Sequence, residues 1–451
     1  MAEGLGLPDH DGRVEKAGLV HAGCLYNEGL MVDGHLPMLE RDRRPLRSLF
    51  LDLNSYFASV EQQEHPELRG RPVGVGAVEA ESGTIIAASY EAKAFGVRTG
   101  TKVGEARQRC PEIVLVHGNH KTYAAYHNAI LKAVEDVLPV EKVRSVDEMS
   151  FRLIGEEAEP ARAIELAKAL KTIIRERVGE CLRCSIGIAP NTFVAKLGTE
   201  MQKPDGLVLI EGHELPDRLA CLQLTDFTGI NRRMEIRLQA QGIFTGADLC
   251  RASQDLLHRA FGSVIGERWW YLLRGYELVE EPTQRRTLGH SHVLPPRLRT
   301  EEGTREVLLR LLHKAAARLR SEGLWAEGMA VSVRGIRQNW SFKTRMPPTQ
   351  DTHTMQEHVL KAWPQRTFAA PIQVGVTFYD LKPSAEVTPS LFDSTVERAD
   401  LSRAVDKLNH KFGKNSVFLA GMEHAKDTAQ ERIAFNKTQL FSEGKDDNVV
   451  E

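Results

Sequence analysis

The pattern of apolar and polar positions predicts alternating strands and helices from about residue 46 onward. SLFLDL at 48–53 is an apolar run typical of a buried strand, and the apolar spacing in 121–138 and 159–178 predicts two long helices. Between the helices, VEKVRSVDEMSFRL alternates as a β-hairpin does, and LRCSIGIA predicts a further strand. This strand, helix, hairpin, helix, strand order favours a ferredoxin-like sheet with its helices on one face.

The same pattern divides the rest of the chain into segments. Short strands with short helices predict a small mixed lobe, short-looped helices follow, and the polar stretch EEPTQRRT is typical of an interdomain linker before a second compact α/β module. The first residues have no period, so we expect them to be disordered, or to precede a true start at Met31 or Met38. The predicted segments are a disordered extension at 1–45, a sheet domain at 46–55 and 120–210, the mixed lobe at 56–119, the helical segment at 211–279, the linker at 280–287, the second module at 288–383 and a polar tail at 384–451.

Composition changes this picture little, but charge distribution adds to it. The chain has 42% apolar and 27% charged residues, and it has neither an eighteen-residue apolar run nor a secretory signal. It is therefore expected to be a cytoplasmic protein that does not associate with membranes. The net charge is only −2, yet basic residues outnumber acidic ones between Arg285 and Arg345. This basic module either contacts phosphates or is a solvated helix face.

The six cysteines are scattered along the chain, which favours reduced thiols over a disulfide framework. Cys181 and Cys184 form a CxxC, but no second pair or suitably spaced histidines follow it. We therefore expect a buried structural role for both residues and no zinc site.

Three acids predict a site for chemistry. Asp52 ends an apolar strand, and Asp147 and Glu148 are adjacent at the hairpin bend, where neighbouring side chains can converge. If the first strand lies beside the hairpin, the three carboxylates repel one another unless hard divalent cations neutralise them. Such a trio suits two-metal phosphoryl transfer, and acids at exposed turns are the common alternative.

Five segments, in order, resemble the Y-family of DNA polymerases, meaning the DNA polymerase IV and polymerase V catalytic-subunit group. They are FLDLNSYFASVE, IAASYEAKAFGV, SVDEM, SIGIAPNTFVAKLGTEMQKPDG and the region of Gly229, and the resemblance covers about residues 48–383. It implies an α/β (α+β multidomain) fold of the right-hand polymerase type. The sheet domain is then expected to be a ferredoxin-like palm, the mixed lobe the fingers, the helical segment a thumb with a helix-hairpin-helix, and the second module a little finger. It also implies DNA-templated addition of deoxynucleotides to a primer 3′-OH, with low fidelity and bypass of damaged template bases.

The resemblance further implies the residues of the active site. Two Mg²⁺ ions are expected on Asp52, Asp147 and Glu148, with the backbone carbonyl of Leu53 as a further ligand, and Phe57 is expected to be the steric gate that excludes a 2′-hydroxyl. The nucleotide-binding residues are Tyr56, Phe57, Tyr90, Lys93 and Lys203. This chain departs from the family pattern at Lys93, where an arginine is usual, and at Ala87, where a small hydroxyl residue is usual.

The resemblance also implies contacts with partners, which are primer-template DNA, an incoming dNTP and the replication sliding clamp, with the protein itself a monomer. In the thumb loop Asn231 replaces a glycine and is expected to adopt its left-handed conformation. The clamp-binding candidates are Leu391 and Phe392 of TPSLFD, with QLF at 439–441 as a weaker one. The DNA-binding candidates are Gly229, Arg232, Arg233, Arg297, Arg299, Arg334 and Arg337.

Two other functions compete with this hypothesis. A catalytically dead homologue could act as a scaffold between DNA, clamp and another polymerase, but such a protein has no need of all three acids. A nucleotidyl cyclase with a similar two-metal palm is disfavoured by the basic module and by MQKPDG.

Overall fold

The computed structural model describes residues 44–76, 81, 83–279, 286–366, 370–388 and 395–428. The chain forms two compact units, which divide between residues 279 and 280. None of the helices in these described ranges is long and apolar enough to span a lipid bilayer. Residues 1–43 of the predicted extension, most of the linker, Leu391, Phe392 and the QLF at 439–441 lie outside the described residues.

The palm of the first unit is built on a five-stranded sheet in the order β5-β6-β1-β7-β8. Strand β1 is antiparallel to both β6 and β7, and β8 runs parallel to β7. Helices α4 and α5 cover one face, so the expectation that the two long helices share a face is confirmed, and α6, which was not predicted, packs on the other face. The palm elements are β1 (Ser48–Leu53), α4 (His120–Glu135), β5 (Val140–Val143), β6 (Glu148–Arg152), α5 (Pro160–Arg177), β7 (Cys184–Ala189), α6 (Thr192–Met201) and β8 (Leu207–Leu209).

The fingers and thumb flank this sheet within the first unit. The fingers have a three-stranded sheet, β3-β2-β4, over a small apolar core, and the thumb packs four short helices around the buried Trp269. Fingers elements are α1 (Tyr56–Glu64), β2 (Val73–Gly76), β3 (Ile85–Ala88), α2 (Tyr90–Ala94), α3 (Val103–Arg109) and β4 (Val114–His117), and thumb helices are α7 (Arg232–Gln239), α8 (Gly246–Arg251), α9 (Gln254–Phe261) and α10 (Ile265–Leu273).

The second unit is an antiparallel sheet in the order β11-β10-β12-β9, with an apolar core between one sheet face and the helices. Its elements are β9 (Thr287–Val293), α11 (Glu301–Ser321), β10 (Leu324–Gly335), β11 (Asn339–Thr349), α12 (Thr352–Ala362), β12 (Pro371–Pro383) and α13 (Thr395–Phe412). Strand β11 and helix α13 were not predicted from the sequence. Beyond α13, Met422 and Ala425 complete the core, so residues 395–428 pack as part of this unit.

The five cysteines in the described residues are all free thiols. Cys184 is buried on β7, and burial raises the pKa of its thiol to about 12, which makes it inert at neutral pH. The expectation of a buried CxxC is thus confirmed for Cys184 and wrong for Cys181, which is partly exposed.

Candidate active site

Strand register places two of the predicted acids side by side. Asp52 of β1 lies directly opposite Glu148 of β6. Their neighbours Leu53 and Met149 are buried against α4 and α5, so strand alternation turns both acids to the opposite face. Asp147 immediately precedes β6, and its backbone carbonyl accepts a hydrogen bond from the N–H of Leu53 at 2.9 Å. The predicted trio therefore meets at one end of the palm sheet.

Helix α6 covers the face that carries these acids. Its first turn is capped by Asn191, whose side chain accepts a hydrogen bond from the N–H of Val194 at 2.8 Å. A Cβ at Gly187 of β7 would lie 1.9 Å from the backbone oxygen of Ala195, so only glycine allows α6 to approach the sheet this closely. This approach brings Lys196 within reach of the carboxylates.

Two ammonium groups neutralise the acidic cluster. Lys196 forms ion pairs with Asp52, with Glu148 at 2.9 Å and with Glu200 at 2.8 Å, while its side chain is only 12% exposed. Lys203 contacts Asp52 at 3.0 Å and Glu200 at 2.8 Å. Burial opposes the charged form of Lys196, but the three carboxylates raise its pKa well above the ordinary value. Burial likewise opposes ionisation of Glu200, but Lys196 and Lys203 lower its pKa.

The third acid, Asp147, has a different environment. Burial raises its pKa to about 6, a hydrogen bond from the Ser145 hydroxyl at 2.5 Å opposes this rise, and the charges of Asp52 and Glu148 add to it. Across the described ranges, no three His, Cys, Asp or Glu side chains form a ready-made metal cage, and lysines contact Asp52 and Glu148. The donor set still fits a hard divalent cation, since it consists of crowded carboxylates that require positive charge.

The predicted triphosphate clamp lies beside the acids. The Nζ atom of Lys93 is 4.3 Å from the Tyr90 ring centroid and donates a hydrogen bond to the Ser55 hydroxyl at 2.7 Å. Burial, and then the charge of Lys203, lower the pKa of Lys93, so the two ammonium groups repel each other. Burial and the nearby Asp52 raise the pKa of Tyr90 to about 12. The structure thus brings Tyr90, Lys93 and Lys203 together.

Ser55 precedes helix α1 without capping it through its side chain. The residue occupies the N-cap position in a left-handed conformation with φ of 49°, and its side chain makes no capping hydrogen bond. Because its hydroxyl instead accepts from Lys93, it connects the start of α1 to the clamp.

The predicted steric gate has a rigid support. The ring of Phe57 is buried and stacks on that of Tyr123, with centroids 4.4 Å apart and planes 18° apart. Tyr123 is itself held on both sides, since its carbonyl accepts from the Tyr56 hydroxyl at 2.7 Å and its own hydroxyl donates to the buried Glu61. The gate ring is therefore fixed by packing.

The thumb loop differs from its expected conformation. Gly229 has a φ of 105°, as a tight turn requires, but Asn231 is extended with φ of −89°, so the expected left-handed conformation is wrong. Asn231 caps α7 instead, because its side chain accepts from the N–H groups of Arg233 and Met234, each at 3.0 Å. Arg232 and Arg233 are exposed.

A cleft of about 440 Å³ connects this loop to the end of α6. Its lining includes Glu200 of the acidic cluster, Asp226 and Gly229 of the thumb loop. Glu200 and the thumb loop thus line one space within the first unit.

The basic module of the second unit divides into two sets. Arg334 of β10 and Lys343 and Arg345 of β11 point to the exposed face of the sheet, whereas Arg310 and Arg320 of α11 are buried. Arg297 and Arg337 are exposed, and Arg299, also exposed, donates to the carbonyl of Leu294 at 3.0 Å. The exposed set can contact phosphates, whereas the buried set makes contacts inside the second unit.

Sequence reasoning missed Lys196 and Glu200 in this site. Both lie in the quoted segment SIGIAPNTFVAKLGTEMQKPDG, four residues apart on one helix face. That spacing, with Lys203 three residues further on, was the available signal, but only tertiary packing shows that the face meets Asp52.

Comparison with known proteins agrees with this arrangement. Models of the impB/mucB/samB family and of its C-terminal domain match residues 51–200 and 285–391. DNA polymerase IV of Moorella thermoacetica is 34% identical over 384 residues, which cover 82% of this chain and 95% of that protein. DNA polymerase IV 2 of Mesorhizobium japonicum is 31% identical, with 82% of this chain and 92% of that protein covered.

Solved structures show the same fold. A chimera of the Y-family DNA polymerases Dbh and Dpo4 superimposes with a TM-score of 0.63 at 23% identity, covering 75% of this chain and 99% of the chimera. An insertion ternary complex of Dbh DNA polymerase gives a TM-score of 0.51 at 24% identity, with the same coverage. The palm, fingers, thumb and little finger are thus those of the family. The chain therefore belongs to the impB/mucB/samB family, which is the Y-family of DNA polymerases.

Proposed function

We propose that this chain adds deoxynucleotides to the 3′-hydroxyl of a DNA primer under the direction of a template, with Asp52, Asp147 and Glu148 holding two magnesium ions. The observation that carries this proposal is the register of β1 with β6, which sets Asp52 opposite Glu148 beside Asp147. The similarity to DNA polymerase IV enzymes along most of the chain supports the same reaction.

Each residue of the site has a role in this reaction. When bound, the ions lower the pKa of the primer hydroxyl and neutralise the charge that develops on the leaving pyrophosphate. The three carboxylates, with the carbonyl of Leu53, supply the oxygen ligands that magnesium prefers. Because Asp52 and Glu148 lie on paired strands of a sheet, their oxygens are positioned before the nucleotide arrives.

The residues around the acids select and hold the nucleotide. Lys93 and Lys203 place two positive charges near the acids for the triphosphate, and the Tyr90 ring packs beside Lys93. The backbone N–H groups of Tyr56 and Phe57 at the start of α1 suit a further phosphate contact. The Phe57 ring fills the space that a 2′-hydroxyl needs, so the site takes deoxynucleotides.

Contacts with DNA avoid base edges, as a template-directed enzyme requires. Arg232 and Arg233, beside the turn at Gly229, suit primer phosphates. In the second unit, Arg334 lies on the exposed sheet face and suits duplex phosphates, as do the exposed Arg297, Arg299 and Arg337. We place sliding-clamp binding at Leu391 and Phe392, and the enzyme acts as a monomer.

The small fingers explain tolerance of damaged templates. Their core consists of a few small apolar side chains, among them Ala88, Ala92 and Val97, between a three-stranded sheet and short helices. So small a lobe encloses the nascent base pair loosely. Low fidelity and lesion bypass follow, because discrimination between pairs depends on how closely the site fits them.

Primer extension tests the proposal. Wild-type protein with Mg²⁺ is expected to extend primers on undamaged and abasic templates, and the Asp147→Asn, Glu148→Gln double variant is expected to extend neither. The matched control is Glu156→Gln with Glu157→Gln, an adjacent acidic pair in the turn Gly155–Ala158, which has no buried residue, and it should extend normally. If neither the wild type nor the double variant extends but both bind primer-template DNA, the scaffold function replaces this one.

A further inference from the structure

We propose that Lys196 is a positioning residue that competes with the divalent cations for Asp52 and Glu148, and that Glu200 receives its ammonium group when those cations bind. This inference rests on the metal site of the proposed function. It adds a component that sets how strongly the polymerase holds its metal ions.

The contacts of Lys196 are those of a cation in the centre of a carboxylate site. The ammonium group donates hydrogen bonds to Asp52 and Glu200 and forms an ion pair with Glu148 at 2.9 Å. The ammonium group therefore lies against carboxylates of Asp52 and Glu148 that a metal ion would need. Two of these three carboxylates are the proposed metal ligands.

The position of this ammonium group is imposed by the fold. Close packing of α6 on Gly187 fixes the helix against the sheet, and the Nζ atom lies 5.5 Å from the Phe50 ring centroid, over its face. The side chain is 12% exposed, so the stem has little freedom. Lys196 consequently has few alternative positions that keep its charge neutralised.

Glu200 provides the alternative position. It lies one helical turn after Lys196, at 2.8 Å, so the ammonium group can keep this contact without any backbone movement. Glu200 also contacts Lys203, whose second partner is Asp52. A fourth carboxylate outside the metal ligands thus retains both lysines near the site while freeing Asp52 and Glu148.

This exchange lowers the affinity of the protein alone for divalent cations. Lys196 must leave two ligands before their oxygens are available, and its charge still repels the incoming cation from nearby. A nucleotide brings phosphate oxygens that supply further metal ligands and offset this cost. Lys196 therefore makes tight metal binding depend on the nucleotide.

Equilibrium binding of Mn²⁺ to the full chain, followed by electron paramagnetic resonance of the free ion, tests the proposal without any turnover. The Lys196→Met variant is expected to bind Mn²⁺ about tenfold more tightly than the wild type, within the usual range of coupling between ligands of one protein. Lys196→Arg keeps the positive charge and should restore weak binding. An unchanged or weakened affinity in Lys196→Met would overturn the proposal.

Two further variants separate this inference from the proposed function. Lys171→Met removes a lysine of similar burial, 18% exposed, whose carboxylate partner Asp205 lies outside the metal ligands, and it should bind Mn²⁺ like the wild type. The Asp147→Asn, Glu148→Gln variant should lose binding. If it binds as well as the wild type, the metal site itself is misplaced and both proposals fail.

Thermal melting supplies a second readout on the same proteins. In a chelating buffer Lys196→Met should melt below the wild type, because three carboxylates lose their shared cation. Saturating Mg²⁺ should raise the melting temperature of Lys196→Met by more than that of the wild type, since at one ligand concentration the tighter complex is stabilised more. An equal rise in both proteins would refute the competition.

Discussion

Replacement of Phe57 by alanine is expected to remove most of the discrimination between deoxynucleotides and ribonucleotides. The Phe57 ring is buried and stacked on Tyr123 at 4.4 Å. Tyr123 is tied to Glu61 and Tyr56, so the stack cannot move aside for an extra hydroxyl. The alanine variant leaves a space where that hydroxyl fits.

The magnitude follows from two costs that the ring imposes on a ribonucleotide. Forcing extra atoms into a packed site costs about 1–3 kcal/mol, and burying a hydroxyl without a hydrogen-bond partner costs about 1–3 kcal/mol. The sum is about 2–6 kcal/mol, which at about 1.4 kcal/mol per tenfold is roughly thirtyfold to ten-thousandfold. Phe57→Ala should therefore lower the ratio of kcat/KM for dNTP over rNTP by about a thousandfold, the middle of this range.

Single-nucleotide insertion measures this ratio directly. Both nucleotides are titrated on one primer-template, so that loss of folded protein cancels in the ratio. Phe151→Leu is the control, because Phe151 is fully buried in the palm core and its truncation should change stability and leave the ratio intact. A Phe57→Ala ratio within tenfold of the wild type would show that another group excludes the 2′-hydroxyl.

Three further predictions concern other parts of the chain. Arg320→Met should destabilise the second unit by about 3 kcal/mol in urea unfolding, because the Arg320 guanidinium, only 3% exposed, forms a bidentate ion pair with Asp406 of α13. An unchanged free energy of unfolding would show that α13 does not pack there. Burial lowers the pKa of His313 to about 4, whereas the histidine of the unfolded chain has a pKa near 6.5. Acidification between these values should therefore cost about 3 kcal/mol of stability. If the stability of His313→Gln fell with pH as steeply as that of the wild type, this reasoning would be contradicted. Lys93→Arg should lower KM for dNTP about threefold to tenfold, because a guanidinium can bind a phosphate through two parallel hydrogen bonds. An unchanged KM in steady-state kinetics would refute this.

Local patterns in the sequence were sufficient for most of the palm. The buried run of β1, the hairpin of β5 and β6 and the long helices α4 and α5 all occur where apolar periodicity predicts them. Adjacent acids at the hairpin bend also predict a convergent site, because the bend relaxes strand alternation. These features depend on residues close together in the chain.

Elements that violate local rules could not be predicted. Pro347 and Pro348 argue against a strand, yet β11 contains both, because it is an edge strand whose outer N–H groups need no partner. Helix α13 buries small and polar side chains, including Ala399 and Ser402, so its inner face carries no apolar signal. In each case the packing of the element in the folded unit, and not its own sequence, explains why it forms.

The same limit applies to the candidate active site. Asp52 and Lys196 are 144 positions apart, and their contact depends on the absence of a side chain at Gly187. A motif shows which residues are present but not which oxygens an ammonium group occupies. The acids could therefore be predicted as metal ligands, while their competition with an internal cation required the packing of α6.

The two sets of basic residues in the second unit explain how a chain of net charge −2 can bind DNA. Arg310 donates to the carbonyl of Lys426 at 3.1 Å and Arg320 pairs with Asp406, so these charges hold residues 395–428 in place. Arg334 and Lys343, by contrast, stand on the exposed sheet face. Only charges that face solvent release counterions from DNA, so replacing the exposed set should reduce the salt dependence of binding, whereas replacing the buried set should reduce stability.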